Sequence, residues 1–154
     1  MQDYIDEADK KIIGCLKENA RYTFREISQK TGINEGTVRL RFNNMQKRGV
    51  FLGFSPTLDE SKLGLGIHCL ILVKTKLGES EKIAEKLRNF EEVRFCAVTT
   101  GTCDIIIEIF TRDPKTLSDF LNKRIASIEG VLETQTGLVL KTLKVNYIKI
   151  NPTE

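Results

Sequence analysis

The sequence has few of the residues that metal sites are built from. It contains a single histidine, His68, and its four cysteines lie at positions 15, 69, 96 and 103, so no two form a C-x-x-C pair. A structural zinc site needs about four ligands at recognisable spacing. We therefore expect small, partly buried thiols in a reducing compartment, and neither a metal nor another cofactor.

Membrane-spanning and catalytic patterns are also missing. No apolar run reaches the roughly 18 residues of a membrane span, and the acidic start of the chain does not resemble a secretory signal. We therefore expect a cytoplasmic protein with no membrane partner. Asp104 with His68 or Cys103 could be drawn as a catalytic group, but no acid/base pair stands at a defined spacing. The sequence predicts that the chain is not an enzyme.

What the chain does have is basic charge concentrated near its start. Residues 1–50 hold ten Lys/Arg against seven Asp/Glu, whereas residues 51–154 hold fourteen of each. Within residues 21–48, seven basic residues face only two acidic ones. Such a local excess suits a phosphate backbone, although solvated protein surfaces also carry charge clusters.

The first fifty residues predict three short helices. Asp6 can cap the first helix, and a capping box at Thr23–Glu26 begins the second. Gly32 ends that helix, and Asn34 can cap a third that Gly49 stops. Two helices joined by a tight glycine turn are typical of a helix-turn-helix, and also occur in ordinary helical bundles.

The remaining residues predict a different architecture. Val50–Phe54 looks extended, and the Gly/Pro-containing stretch 51–66 is a partly apolar linker. From Ile67 the order is strand, helix, strand, strand, helix, strand, which is the ferredoxin-like arrangement. The predicted elements are a strand over 67–76, a helix over 79–90, strands over 93–99 and 104–111, a helix opened by Asp113 and Pro114, a strand over 131–140, and a short extra strand over Lys144–Ile150.

The predicted fold class is therefore α+β. A (winged) helix-turn-helix domain of three helices spans 1–50, a linker spans 51–66, and a ferredoxin-like βαββαβ antiparallel sheet domain spans 67–154. Such a sheet has one face without helices. Because Leu70, Leu72, Leu132 and Leu138 leave neither face fully polar, we expect a homodimer at least.

One set of segments occurs in order over nearly the whole chain: Ile5-Asp6, Asp9 to Ile13, Asn19-Ala20-Arg21, Glu26-Ile27-Ser28, Thr31-Gly32-Ile33, Thr37 to Phe42, Gly49-Val50 and Thr100 to Asp104. Together these segments resemble the Lrp/AsnC family of leucine-responsive and feast/famine regulators. The resemblance implies DNA binding by the first domain, amino-acid binding by the second, and dimers that assemble further to tetramers or octamers.

The third helix is the predicted DNA-reading element. With Val38, Phe42 and Met45 facing inward, helical spacing turns Leu40 and Asn43 outward. Arg39 and Asn43 can offer hydrogen bonds to base edges, and Leu40 is either a thymine-methyl contact or an ordinary surface leucine. Gly36 permits close approach to phosphate or is simply tolerated near the helix start. The full set of predicted DNA-binding residues is Thr23, Arg25, Glu35, Gly36, Thr37, Arg39, Leu40, Arg41, Asn43 and Lys47.

Two kinds of basic residue accompany this helix. Arg41 matches a position that is usually arginine in the family, and we assign it either to phosphate or to bracing the helix. Arg25 and Lys47 are candidates for phosphate contact or are solvated surface charges.

A loop in the second domain is the predicted effector site. Its glycine lets backbone N–H groups approach a carboxylate, and Asp104 can pair with an ammonium; equally, the loop is a hairpin turn whose aspartate caps local N–H groups. The resemblance implies an amino-acid pocket between dimers, with Cys103 at a position that is often aromatic in relatives. The predicted effector residues are Thr100, Gly101, Thr102, Cys103, Asp104, Thr134, Gln135 and Thr136.

The sequence thus predicts a sequence-specific, DNA-binding transcription regulator that an amino acid modulates. The alternative is a small-molecule sensor or metabolic regulatory protein that acts through protein partners without binding DNA.

Overall fold

The computed structural model describes residues 4–143, which form two compact units, 4–57 and 58–143. The strand predicted at Lys144–Ile150 lies outside the described residues. The chain changes from one unit to the other within the predicted linker, just before a single 3₁₀ turn at Glu60–Leu63.

The first unit contains three helices, α1 (Glu7–Glu18), α2 (Phe24–Thr31) and α3 (Glu35–Lys47). The predicted caps are confirmed. The Asp6 carboxylate accepts a hydrogen bond from the Asp9 N–H at 2.8 Å, and Thr23 and Glu26 form their capping box. Gly32 adopts the left-handed conformation, with φ of 72°, that the sharp turn between α2 and α3 requires. Asn34 then accepts from the Gly36 N–H at 2.9 Å.

An apolar core fixes α3 in this unit. Ile12, Ile27, Val38 and Met45 are buried, one or more from each helix. Phe51 stacks on Phe42 with ring centroids 5.2 Å apart. Residues 48–59 contain no strand, so the stretch that looks extended in the sequence is held by aromatic packing and not by strand pairing.

The second unit is built on a four-stranded antiparallel sheet of order β2-β3-β1-β4. This order and the connecting helices confirm the ferredoxin-like prediction, with element ends one to three residues shorter than predicted. The elements are β1 (Ile67–Thr75), α4 (Ser80–Leu87), β2 (Val93–Val98), β3 (Ile105–Thr111), α5 (Pro114–Asp119) and β4 (Val131–Leu138).

The second predicted helix is divided. After α5 the chain continues as a π-helical turn, Phe120–Ile125, in which the Ala126 N–H donates to the Leu121 carbonyl. This wider turn still buries Phe120 and Ile125. It was not predicted, because apolar spacing does not distinguish one irregular turn from a regular one.

Among residues 58–143, helices cover one face of the sheet, and the other, the open face, carries no helix. On β1, the buried residues Cys69, Ile71 and Val73 alternate with His68, Leu70, Leu72 and Lys74. On β3, Ile105, Ile107 and Ile109 are buried in the same way. The buried set packs against α4, α5 and the π-helical turn, so the alternate set faces away from the helices.

Candidate nucleic-acid interface and effector loop

The outward arc of α3 has the properties predicted from helical spacing. Gly36, Thr37, Leu40, Asn43 and Lys47 are exposed, whereas Val38 and Met45 on the opposite side are fully buried. Leu40 is 61% exposed among polar neighbours, so its methyl groups are accessible at the surface. The arc therefore offers amide, hydroxyl, ammonium and methyl groups on one surface.

A contact with the cap of α3, which could not be predicted from the sequence, accounts for glycine at position 36. A Cβ atom at this position would lie 3.2 Å from the Asn34 Oδ1 that caps α3. Glycine therefore leaves room for the cap at the start of the helix.

Arg39 lies at one flank of this arc and is held within the first unit. Its Nη2 donates to Glu35 Oε1 at 3.2 Å, and its guanidinium lies 5.4 Å from the centre of the Phe24 ring on α2. Arg39 and Glu35 are both substantially exposed. The guanidinium is thus oriented at the surface by one carboxylate and one aromatic ring, and Phe24 is a contributor that the sequence analysis missed.

Arg41 lies at the other flank and contacts α1. Its Nη1 donates to Asp6 Oδ2 at 2.7 Å and to Asp9 Oδ1 at 3.0 Å. The pKa of Asp6 is held below its usual value by the Asp9 backbone N–H first and by Arg41 second. Of the two roles predicted for Arg41, this geometry supports bracing. Asp9 could not be identified as a partner of Arg41 from the sequence, because the two residues are 32 positions apart.

The remaining predicted contacts lie at the start of α2. The Thr23 hydroxyl is occupied by the capping box, because it donates to Glu26 Oε2 at 2.8 Å and accepts from the Glu26 N–H. The Thr23 backbone N–H also donates to Glu26 Oε2, at 2.7 Å, and this hydrogen bond is the main cause of the lowered pKa of Glu26. Arg25 on the first turn is exposed.

The predicted effector loop joins β2 to β3. Gly101 has φ of 109°, in the left-handed half of backbone space. Thr100, Gly101 and Thr102 are exposed, whereas Cys103 is buried. Within residues 4–143, no hydrogen bond engages the backbone N–H groups of Gly101 and Thr102, so two donors in this exposed loop have no partner in that range.

Asp104 anchors the end of this loop to β1. Its Oδ2 accepts from the Thr75 N–H at 2.8 Å, and its Oδ1 accepts from Lys74 Nζ at 3.3 Å. The pKa of Asp104 is lowered, mainly by the Thr75 backbone hydrogen bond and further by Lys74. The sequence indicated the residue but not these partners.

The other predicted effector residues lie on β4, with β1 in between. Val73 pairs with Ile105 on one side and with Thr134 on the other. Two strand spacings, roughly 10 Å, therefore separate β4 from β3. Thr134, Gln135 and Thr136 are all exposed, and one chain does not bring them into contact with the loop.

A polar cluster on the open sheet face was also missed. His68 Nε2 lies 2.7 Å from Glu108 Oε1, and its ring stacks on Phe110 at 4.3 Å. No group of three or more His, Cys, Asp or Glu within residues 4–143 could hold a metal ion. None of the helices in that range has the length and apolar character needed to cross a membrane.

Two family descriptions match the two units. Residues 5–51 match a winged helix-turn-helix DNA-binding family, and residues 68–148 match the Lrp/AsnC ligand binding domain. The chain is 36% identical over 144 residues to the HTH-type transcriptional regulator FL11 of Pyrococcus furiosus, covering 94% of this chain and 95% of that protein. It is 38% identical over 140 residues to FL11 of Pyrococcus horikoshii, covering 91% and 92%.

Solved structures show the same architecture. Escherichia coli AsnC superposes with a TM-score of 0.87 at 27% identity, covering 94% of this chain and 98% of that one. A transcriptional regulator from Neisseria meningitidis, solved as a complex with L-methionine, superposes with a TM-score of 0.88 at 26% identity, covering 96% and 98%. With its helix-turn-helix and its ferredoxin-like domain, the chain belongs to the Lrp/AsnC family, whose members are DNA-binding transcription regulators and not enzymes.

Proposed function

We propose that α3 enters the major groove of DNA and reads bases with its outward arc. The observation that carries this proposal is the contrast between the buried Val38 and Met45 and the exposed arc around Leu40 and Asn43. An asparagine suits adenine, and an apolar side chain suits the thymine methyl. The Glu35 carboxylate on the same helix can accept from cytosine once Arg39 turns toward guanine.

One such helix reads too few base pairs to be selective, so we propose that the protein acts as a homodimer that assembles further. Two copies would present two reading helices to two half-sites. The open sheet face supports this pairing, because Leu70 and Phe95 are exposed there on either side of Glu108 in the strand register. Binding to the genome would place the protein in the cytoplasm.

The pairing can be tested by sedimentation velocity. Leu70→Glu puts a charge on the open face, and we expect it to shift the protein to a smaller species. Leu77→Glu is the matched control, because Leu77 is fully exposed in the turn after β1. Equal sedimentation of the two variants would show that the open face does not pair subunits.

We further propose that an amino acid binds at the loop Thr100–Asp104 and modulates DNA binding. The N–H groups of Gly101 and Thr102 can donate to its carboxylate, and Asp104 can accept a hydrogen bond from its ammonium group in place of the one from Lys74. Because β1 separates the loop from Thr134–Thr136 within one chain, the β4 residues would come from a neighbouring subunit. L-Methionine, the ligand in the Neisseria structure, is the first candidate.

The decisive experiment is selection of bound genomic fragments, with and without a mixture of amino acids. It would yield an operator, the half-site spacing and the effector dependence together. Calorimetry against all twenty amino acids, with Asp104→Ala as the control, tests the loop directly. No heat of binding with any amino acid, together with unchanged DNA affinity, would refute the effector proposal while leaving DNA reading intact.

A further inference from the structure

Arg41 is part of a closed network at the start of α1. Each of the two carboxylates it contacts uses one oxygen for the capping box and the other for Arg41. Asp6 Oδ1 accepts from the Asp9 N–H at 2.8 Å, and Asp9 Oδ2 accepts from the Asp6 N–H at 3.4 Å. The remaining oxygens, Asp6 Oδ2 and Asp9 Oδ1, both accept from Arg41 Nη1. The cap of α1 and the flank of α3 are therefore joined through one nitrogen atom.

Burial makes this contact more than a surface ion pair. The Asp9 side chain is only 8% exposed, whereas Asp6 is half-exposed and Arg41 one-third exposed. A carboxylate removed from water is costly unless it is paired and hydrogen-bonded. Arg41 is the cation that contacts Asp9 among the described residues, so Asp9 holds the guanidinium in place more strongly than an exposed acid would.

Because of this network, the Arg41 guanidinium is not available to bind a DNA phosphate. Two carboxylates surround one guanidinium, so the group carries a net charge of −1 and not +1. At about 100° per residue, Arg41 lies about 60° from the buried Val38, on the side of α3 that faces α1. Lys47, by contrast, lies on the exposed arc of the same helix.

We propose that Arg41 is a positioning residue. Through Asp6 and Asp9 it sets the orientation of α3 against α1, and so the angle at which the reading arc meets the bases, without contacting phosphate. This inference rests on the proposed function of α3 as the reading helix.

The test compares Arg41→Gln and Asp9→Asn with the wild type on the selected operator and on a random duplex, over a range of salt concentrations. We expect both variants to lose about tenfold in operator affinity, comparable to one mismatched base pair. The ratio of the affinity for the operator to the affinity for random DNA should fall by the same factor. The slope of log affinity against log salt concentration should stay at the wild-type value. Asp9→Asn discriminates most sharply, because removing a negative charge near DNA would by itself strengthen binding.

Two further variants keep the test sound. Asp6→Asn changes the more exposed acid and leaves Asp9 paired, so it should fold and show a smaller loss of the same kind. Lys47→Gln removes one positive charge from the exposed arc, and we expect it to reduce the salt slope by about 0.9 per subunit without lowering the melting temperature.

Three results would overturn the proposal. A salt slope reduced by about 0.9 per subunit in Arg41→Gln would identify a phosphate contact. A lower melting temperature with an unchanged affinity ratio would reduce the network to a fold stabiliser. If the wild type bound no duplex at all, the proposed function would fail, and the positioning role with it.

Discussion

Replacement of Arg39 by alanine should separate DNA reading from folding. In the free protein the side chain makes one exposed ion pair with Glu35 and one contact with the Phe24 ring. Exposed pairs contribute about 0–1 kcal/mol, and an exposed cation–π contact contributes about 0.5–1 kcal/mol. Arg39→Ala should therefore lower the free energy of unfolding by less than about 2 kcal/mol.

The effect on DNA should be larger and selective. A good base contact is worth about 1–3 kcal/mol per subunit, so a dimer would lose about 2–6 kcal/mol, or roughly 30-fold to 10⁴-fold in operator affinity. Fluorescence anisotropy on operator and random duplexes measures both affinities. Arg39→Lys is the matched variant, because lysine keeps the charge but lacks the rigid planar fork with which arginine binds guanine.

The outcome on random DNA decides the assignment. If Arg39 reads a base, the affinity for random duplexes changes little, and Arg39→Lys remains below the wild type on the operator. If Arg39 only contacts phosphate, both duplexes lose affinity equally and lysine restores most of it. That second pattern would refute the reading role of Arg39.

Three further predictions concern stability. Ile27→Ala, at a fully buried site, should cost about 2–5 kcal/mol, enough to unfold much of a roughly 50-residue domain and abolish DNA binding; Ile27→Val should retain it, and calorimetric melting checks both. Gly32→Ala should cost about 1–2 kcal/mol for its left-handed backbone alone. Gly130→Ala should cost more in denaturant unfolding, because it has the same backbone requirement and its Cβ would also lie 3.0 Å from Cδ1 of the buried Ile83. Folding lowers the pKa of Asp104, so the stability that its ionised form contributes is present above the unfolded pKa of about 3.9 and is lost as pH falls through the folded value. Asp104→Asn should therefore be less stable than the wild type at pH 7 and lose less stability on acidification. Equal acid sensitivity of the two proteins would contradict this.

Much of the fold could be predicted because its signals are local. A cap such as Thr23–Glu26 is an interaction between residues three apart, so the sequence contains both partners side by side. The partial alternation and the β-branched residues along β1 are likewise properties of successive residues, and they predicted the strand. They did not predict which face is buried, because Leu70 and Leu72 are as apolar as Ile71. The π-helical turn at Phe120–Ile125 has no such local signature.

The effector loop illustrates the limit for the candidate site. The residue types at Gly101 and Asp104 predicted a turn whose N–H groups could bind the carboxylate of a ligand, with the Asp104 carboxylate beside it. Residue spacing could not predict that the Thr75 N–H and the Lys74 ammonium hold Asp104. Nor could it predict that β1 lies between the loop and Thr134, since strand register is set by long-range pairing.

The three helices, the turn at Gly32, the outward arc of α3 and the succession of strands and helices along the second unit could all be predicted from the sequence alone. Each of these follows from contacts within about four residues or from a repeating pattern of apolar side chains. The contacts of Arg41, by contrast, exist only in the folded protein. Its partners lie 35 and 32 residues earlier in the chain, and the burial of Asp9, which makes the contact strong, is created only when α1 and α3 pack together.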